Sequence, residues 1–167
     1  MRILTLGVYG FTEETFLAAL RAAKPDLFVD TRRRRGVRGH QYAFANAQRL
    51  QDHLADLGIR YTHRLDLAPT EAMVKAQGEV DREAGIRRHD RDTLSPVLAK
   101  GYRERVIDHL DARTLLAELG DPEAPLFFCV EGDPHACHRL LLANEIARQT
   151  GAPVENLVPE GIAGAGR

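Results

Sequence analysis

The chain alternates short apolar runs with segments whose apolar residues recur at helical spacing. The apolar runs predict strands at residues 2–8, 26–30, 59–63, 126–130 and 154–158. Apolar residues three and four positions apart predict helices at residues 12–24, 46–57, 95–110, 111–119 and 133–151. This alternation favours a three-layer α/β fold, with a largely parallel sheet and helices on both faces.

Local signals mark where several of these helices begin and end. Thr12 precedes two glutamates and is a typical N-cap, and Ser95 followed by Pro96 combines a cap with a proline in the first turn. Asp111 predicts another N-cap, and Gly58 stands where a left-handed residue is needed after a helix. These signals place helix boundaries independently of the apolar pattern.

Two regions lack a clear pattern. Residues 65–92 are charged and weakly periodic, so we predict a long excursion with one short helix. Residues 159–167 are rich in glycine and alanine and predict a frayed tail that follows a single domain at residues 1–158. The length of 167 residues, 44% of them hydrophobic, suits one domain with a sizeable core.

The number of cysteines and the length of the apolar runs indicate where in the cell the protein is located. Two cysteines in a chain of this size do not indicate a disulfide scaffold. The first apolar run is too short for a secretory signal, and no run approaches membrane-spanning length. We therefore expect a cytoplasmic protein with reduced thiols and no membrane partner.

The basic residues are mostly arginine: the chain has 20 arginines and only three lysines, although its formal net charge is only -1. Five arginines fall within residues 32–38, a segment called here the arginine loop. Like charges at this density repel one another unless an anion is bound. We predict that the loop contacts a nucleic acid and that an aromatic residue beyond it stacks on bases. The predicted contact residues are Arg33, Arg34, Arg35, Arg38 and Tyr42.

Polar side chains follow the predicted strands, at the edge where open α/β sheets bind ligands. Asp30 and Arg32 follow the second strand, and Cys129 and Glu131 end the fourth. Because parallel strands end at the same edge, we expect these residues to share one pocket. Burial can raise the pKa of a carboxyl group, so Asp30 and Glu131 are candidate catalytic acids or bases.

The start of the last helix offers a second ligand-binding feature. Asp133 and Pro134 predict an N-cap and a first turn, which places residues 135–139 near the helix N-terminus. Free backbone N–H groups and the helix dipole favour an anion there, and Arg139 and Arg32 are the predicted anion-binding side chains. A structural ion pair between Arg139 and one of the two carboxylates above is an equal alternative.

The same segment contains two cysteines and two histidines. Cys137 and His138 are candidate catalytic residues, because a helix N-terminus lowers the pKa of a thiol, although an inert packed thiol is commoner. Cys129 and Cys137 also allow a weaker hypothesis, a thiol redox or metal role. The spacing of Cys129, His135, Cys137 and His138 fits no standard zinc signature, so we predict no metal site.

These residues resemble the signature of the family catalogued as domain of unknown function 488. The resemblance rests on Cys129-x-Glu131, Asp133-Pro134 and Cys137-His138-Arg139. Residues 4–7, 29–32 and 57–63 are similar to other stretches of that family. The resemblance implies a compact α/β domain with its polar residues gathered on one side, and it implies no established activity.

The leading hypothesis is an enzyme-like pocket at the strand ends that binds a phosphate-bearing ligand, a nucleotide or a nucleic acid. The alternative is a non-catalytic nucleic-acid-binding protein that uses the arginine loop. The sequence identifies no cofactor, substrate or oligomeric state, and it leaves open whether the protein is an enzyme.

Overall fold

A computed structural model describes residues 1–159 and contains one all-parallel sheet. Its strands are β1 (Ile3–Leu6), β2 (Leu27–Asp30), β3 (Arg60–His63), β4 (Pro125–Phe128) and β5 (Val154–Leu157). They lie in the order β3-β2-β4-β1-β5. Every residue of β1, β2 and β4 is buried, as expected for parallel strands covered on both faces. The predicted α/β class and parallel sheet are confirmed.

Helices connect the strands, and three of them begin at caps predicted from the sequence. The α-helices are α1 (Glu13–Ala23), α2 (Ala47–Asp56), α3 (Glu71–Glu83), α4 (Pro96–Arg105), α5 (Ala112–Glu118) and α6 (His138–Thr150). Thr12 and Thr15 form a reciprocal capping box before α1. Ser95 and Asp111 cap α4 and α5 through their side chains.

Helices α3 and α4 differ from the sequence prediction, and α6 also begins later than predicted. Helix α3 has 13 residues, so the single short helix predicted for the charged excursion was wrong in length. Its buried residues are Gln77 and Asp81, and a helix that buries polar residues has no apolar stripe to detect. The helix predicted at residues 95–110 is interrupted, because α4 ends at Arg105 and a 3-10 turn covers Ile107–His109.

The sheet packs between two separate apolar cores. Phe28 and Phe128 face the core that α1 and α2 complete, and Val29 and Phe127 face the core that α4, α5 and α6 complete. This alternation follows from the pleat of a strand, which sends successive side chains to opposite faces. Helices therefore cover both faces, and the predicted three-layer arrangement is confirmed.

The connections after neighbouring strands diverge at the carboxyl end of β4. The chain leaves β1 and β2 toward the face covered by α1 and α2, and it leaves β4 toward the opposite face, where α6 lies. Because β4 lies between β1 and β2, this divergence opens a crevice at its carboxyl end, the usual ligand position in such sheets.

The predicted tail at residues 159–167 lies outside the described residues except for Pro159. No helix within residues 1–159 is both long enough and apolar enough to cross a lipid bilayer.

Candidate functional site

A cavity of about 960 Å³ lies at the carboxyl end of β4. Its walls come from Tyr9 after β1, the arginine loop after β2, helix α3 with the segment that follows it, and the segment between β4 and α6. Its volume is near the upper end of the range of small-molecule sites, about 300–1,000 Å³. The cavity therefore occupies the crevice that the topology creates.

Two thiols and an imidazole meet on one wall of this cavity. The sulfur atoms of Cys129 and Cys137 and a ring nitrogen of His138 all lie within 4.8 Å of one another. The Nδ1 atom of His138 is 3.8 Å from the sulfur of Cys129 and 3.7 Å from that of Cys137. All three side chains are buried and line the cavity. The structure thus brings the candidate residues Cys137 and His138 together with Cys129.

The imidazole of His138 is oriented by Thr31, a strand-end residue to which the sequence assigned no role. The Thr31 hydroxyl donates to the carbonyl oxygen of Phe128 at 2.8 Å and lies 3.1 Å from Nε2 of His138. Because that hydroxyl has only one hydrogen, Nε2 is the donor to Thr31. In the neutral ring, the lone pair of Nδ1 then points toward the two sulfur atoms.

The two thiols influence each other's ionisation. The hydrogen bond with Cys137, together with burial, raises the pKa of the Cys129 thiol well above its ordinary value. Burial opposes ionisation of Cys137, but the hydrogen bond from Cys129 and the nearby positive charges, Arg139 among them, hold its pKa well below the ordinary value. The two thiols therefore titrate as a coupled pair, in which Cys137 is the more readily ionised.

Helix α6 begins later than the sequence predicted. Asp133 caps a 3-10 turn at Pro134–Ala136 by accepting from the backbone N–H of His135 at 2.8 Å. The α-helix itself starts at His138, with Cys137 in the N-cap position. The Cys137 sulfur therefore lies at the helix N-terminus, where the dipole favours negative charge. His135 is exposed, bonds to Asp133 and does not join the cluster.

Glu131 lies on the cavity wall, where two arginines hold its carboxylate. Its Oε1 atom accepts from Arg88 at 3.0 Å and from Arg91 at 3.4 Å, and Arg91 also pairs with Asp81 on α3. These ion pairs tie the segment after α3 to the end of β4. Sequence reasoning missed Arg88 and Arg91, and its only signal was the charge density of their region.

Asp30 and Arg32 form a buried ion pair with each other. Their charged atoms are 2.7 Å apart, and the exposed fractions of the side chains are 0% and 1%. The hydroxyl of Tyr61 donates to Asp30 at 2.9 Å, and Arg32 donates to the carbonyl oxygen of Ala45 at 2.8 Å. This geometry gives both residues structural partners, and their predicted acid-base and anion-binding roles stay predictions.

Arg139 is fully buried and holds the loop that follows β4. Its guanidinium donates to the carbonyl oxygens of Glu131 and Gly132 at 2.6 and 3.1 Å. Its Nε atom has no hydrogen-bond partner within the described part of the chain. Arg139 therefore contacts backbone carbonyl groups, and its predicted role in anion binding stays a prediction.

The arginine loop lies partly on the cavity wall. Arg33, Arg34 and Arg38 line the cavity. Arg33 donates to the carbonyl oxygen of Pro69 at 2.6 Å, and Arg34 pairs with Glu71 on α3 at 3.1 Å. These contacts hold the loop against α3, and Arg38 is the one of the three without a hydrogen bond or ion pair to the described residues.

The remaining predicted nucleic-acid contacts lie elsewhere. Arg35 is exposed and lies beside Tyr61. Tyr42 packs edge-on against Tyr9, with ring centroids 5.1 Å apart, and is partly buried against the core under α1 and α2. The ring of Tyr42 thus has a packing partner, whereas Tyr9 is the aromatic residue on the cavity wall.

Comparison with known proteins identifies the family of this chain. No curated protein and no solved structure matches this chain. One family model matches most of its length, over a span that includes β2, the arginine loop and the whole Cys-Glu to Cys-His-Arg segment. The chain belongs to the family described as Domain of unknown function DUF488, whose model matches residues 12–146.

Proposed function

We propose that this protein is an enzyme that binds a phosphate-bearing ligand in the cavity and presents it to Cys129, Cys137 and His138. The observation that carries the proposal is the charge of the cavity walls. Eight arginine or lysine residues line the cavity against three carboxylates. Such an excess of positive charge raises the local concentration of anions and favours their binding.

Half of these cations have no carboxylate partner within residues 1–159. Arg34, Arg88 and Arg91 pair with the three wall carboxylates, and Arg32 pairs with buried Asp30. The four cationic side chains that remain on the wall are Arg33, Arg38, Lys75 and Arg82. Phosphate suits these groups, because guanidinium binds it through two parallel hydrogen bonds and lysine binds it as a point charge.

The shape of the cavity suits an organic phosphate. Apolar side chains complete its walls, among them Tyr9, Val37, Val74 and Ile86. A base or another organic group can pack on these surfaces while the phosphate meets the cations. The volume of about 960 Å³ accommodates a ligand of nucleotide size.

Isothermal titration calorimetry with ADP, AMP and inorganic pyrophosphate tests this proposal. All solutions contain EDTA, so that no metal ion mediates binding. We expect binding that weakens with added salt, and a Kd at least about tenfold higher in the Arg38→Ala/Lys75→Ala variant, since each charged contact contributes about 1.5–3 kcal/mol. Both residues are exposed, so the variant should keep its fold.

The matched control is Arg105→Ala/Lys100→Ala, which removes the same charges from the exposed surface of α4. Its Kd should equal that of the unmodified protein. An equal loss of affinity in both variants would show that binding depends on the net charge of the protein and not on these two cavity residues. Absence of binding to all three probes would refute the proposed ligand class.

A single-stranded nucleic acid is the second candidate ligand. It is favoured by the exposure of Arg34, Arg35 and Arg38 on one loop. For this ligand we expect tight binding of a short DNA or RNA strand, with an affinity that falls steeply with salt and drops in Arg35→Ala. ADP binding should not change in Arg35→Ala, because that residue does not line the cavity.

A further inference from the structure

Cys129, Cys137 and His138 come from two adjoining parts of the fold. Cys129 follows β4 directly, Cys137 is the N-cap of α6, and His138 is the first residue of that helix. The eight-residue separation of the cysteines is not a standard zinc spacing, which is why the sequence argued against a metal. The close approach of the three side chains arises from the return of the chain to the end of β4.

The distances among these atoms match a tetrahedral metal centre. Zinc lies about 2.3 Å from thiolate sulfur and about 2.0–2.1 Å from imidazole nitrogen, so tetrahedral angles require a sulfur-to-nitrogen separation of about 3.6 Å. The observed separations are 3.8 Å for Cys129 and 3.7 Å for Cys137. Both sulfur-to-nitrogen separations therefore lie close to the tetrahedral value, and all three ligand atoms lie within 4.8 Å of one another.

The orientation of the imidazole suits metal binding. With Nε2 donating to Thr31, the lone pair of Nδ1 in the neutral ring of His138 faces both sulfur atoms. Without a metal ion, the Cys129 thiol donates to Oε2 of Glu131 at 3.4 Å, and the Cys137 thiol has the lone pair of Nδ1 as its acceptor. With a metal ion bound, both thiols lose their hydrogens and the same three atoms become its ligands.

The surroundings are those of a supported metal site. Metal-bound histidines usually donate their other ring N–H to an oxygen, which fixes the tautomer, and Thr31 accepts that hydrogen bond here. Packing of the Tyr102 ring at 5.0 Å further restrains the imidazole. Oε2 of Glu131 lies 3.4 Å from the Cys129 sulfur, and Oε1 of the same carboxylate is held by Arg88 and Arg91. The three cluster residues line the cavity, so a fourth coordination position can face it.

We propose that Cys129, Cys137 and His138 bind a zinc-like divalent transition metal, with a fourth coordination position facing the cavity. Two sulfur ligands and one nitrogen ligand select a soft or borderline ion over magnesium or calcium. Three protein ligands with an open position are typical of catalytic zinc sites. That the open position contacts the bound phosphate ligand rests on the proposed function, whereas the metal site itself does not.

Cobalt titration of the full chain tests the metal site. The chain is purified, treated with a chelator under a non-thiol reductant, and titrated with Co²⁺ in the absence of phosphate ligands. We expect one Co²⁺ per chain, with visible bands of tetrahedral cobalt and a thiolate charge-transfer band in the near ultraviolet. Added Zn²⁺ should displace the cobalt and remove these bands.

Substitutions assign the ligands. Cys137→Ser should remove about half of the charge-transfer intensity, because one of the two thiolate ligands remains, and Thr31→Val should lower metal affinity about 10–100-fold by freeing the imidazole. His138→Gln should lower the affinity by more than Thr31→Val does. The matched control is His135→Ala, three residues away and exposed, which should leave cobalt affinity and spectrum unchanged. Circular dichroism of each metal-free variant shows whether it is folded, so a variant that binds less metal because it lacks a ligand can be distinguished from one that is unfolded.

The site is refuted if Co²⁺ and Zn²⁺ bind the unmodified chain no more tightly than Cys129→Ser/Cys137→Ser. It is also refuted if His135→Ala loses as much affinity as His138→Gln. A chain that binds metal ions but no nucleotide would support this metal site and refute the proposed phosphate-bearing ligand. A chain that binds nucleotide in EDTA but binds no metal ion would support the proposed ligand and refute the metal site. The two proposals can therefore be refuted independently.

Discussion

Alanine in place of Gly7 is expected to destabilise the protein by about 3 kcal/mol or more, at or above the upper end of ordinary overpacking. A Cβ atom at this position would lie 1.8 Å from the carbonyl oxygen of Glu131, well inside any allowed contact. The backbone of the loop after β1 cannot withdraw, because Val8 and Tyr9 both donate to the carbonyl oxygen of Val130. Urea denaturation followed by circular dichroism measures the loss.

Two other glycines provide controls for this substitution. A Cβ atom added at Gly36, or at Gly78 on α3, would meet no heavy atom of the described residues within 4 Å beyond its own local backbone. Gly36→Ala should change the free energy of unfolding by less than about 0.5 kcal/mol. Gly78→Ala should raise it by about 0.5–1 kcal/mol, since alanine favours a helix interior. A Gly7→Ala variant as stable as these would contradict the close approach of the two loops.

The fold was largely predictable because its determinants are local in sequence. Continuous apolar runs predicted the buried strands, and caps such as Thr12 and Ser95 predicted helix starts. Helix α3 was underestimated because it buries Gln77 and Asp81, whose hydrogen bond lies under α4 and leaves no apolar periodicity. The pattern of hydrophobic residues predicts the buried face of a helix only where that face consists of apolar residues.

The site was predictable in position but not in its pairings. The carboxyl-end rule and the density of reactive residues after β4 located the cavity wall. Sequence could not say that Arg139 binds carbonyl oxygens, because a guanidinium has five donors that serve an anion or a backbone equally well. It could not pair Glu131 with Arg88 either, since 43 residues separate them and the chain must fold first.

The metal cluster was rejected for a similar reason. Zinc signatures in sequence describe sites whose ligands share one local turn, so their spacing is characteristic. Here the ligand atoms meet because Cys129 ends its strand where Cys137 caps the returning helix, and the loop between them is shaped by Arg139. Arg139, the predicted anion-binding residue, thus holds the loop that brings the two sulfur atoms together.

Asp30→Asn is expected to cost about 3–5 kcal/mol of stability, because it leaves the charge of Arg32 buried without a counter-ion. Chemical denaturation measures this loss. The double variant Asp30→Leu/Arg32→Met should recover a large part of it, since no charge then remains unpaired. Recovery should be incomplete, because the hydroxyl of Tyr61 and the carbonyl oxygen of Ala45 each lose a hydrogen-bond partner.

The single variants Asp30→Leu and Arg32→Met complete a double-mutant cycle with Asp30→Leu/Arg32→Met, and this cycle also decides between a structural and a catalytic Asp30. A structural carboxylate predicts strong coupling between Asp30 and Arg32 in unfolding, and nearly unchanged affinity for ADP and Co²⁺ in a double variant that folds. A catalytic or ligand-binding carboxylate predicts the opposite: Asp30→Asn keeps its stability, and ligand binding or turnover is lost and is not restored by Arg32→Met. The burial of both side chains, at 0% and 1% exposure, leads us to expect the first result.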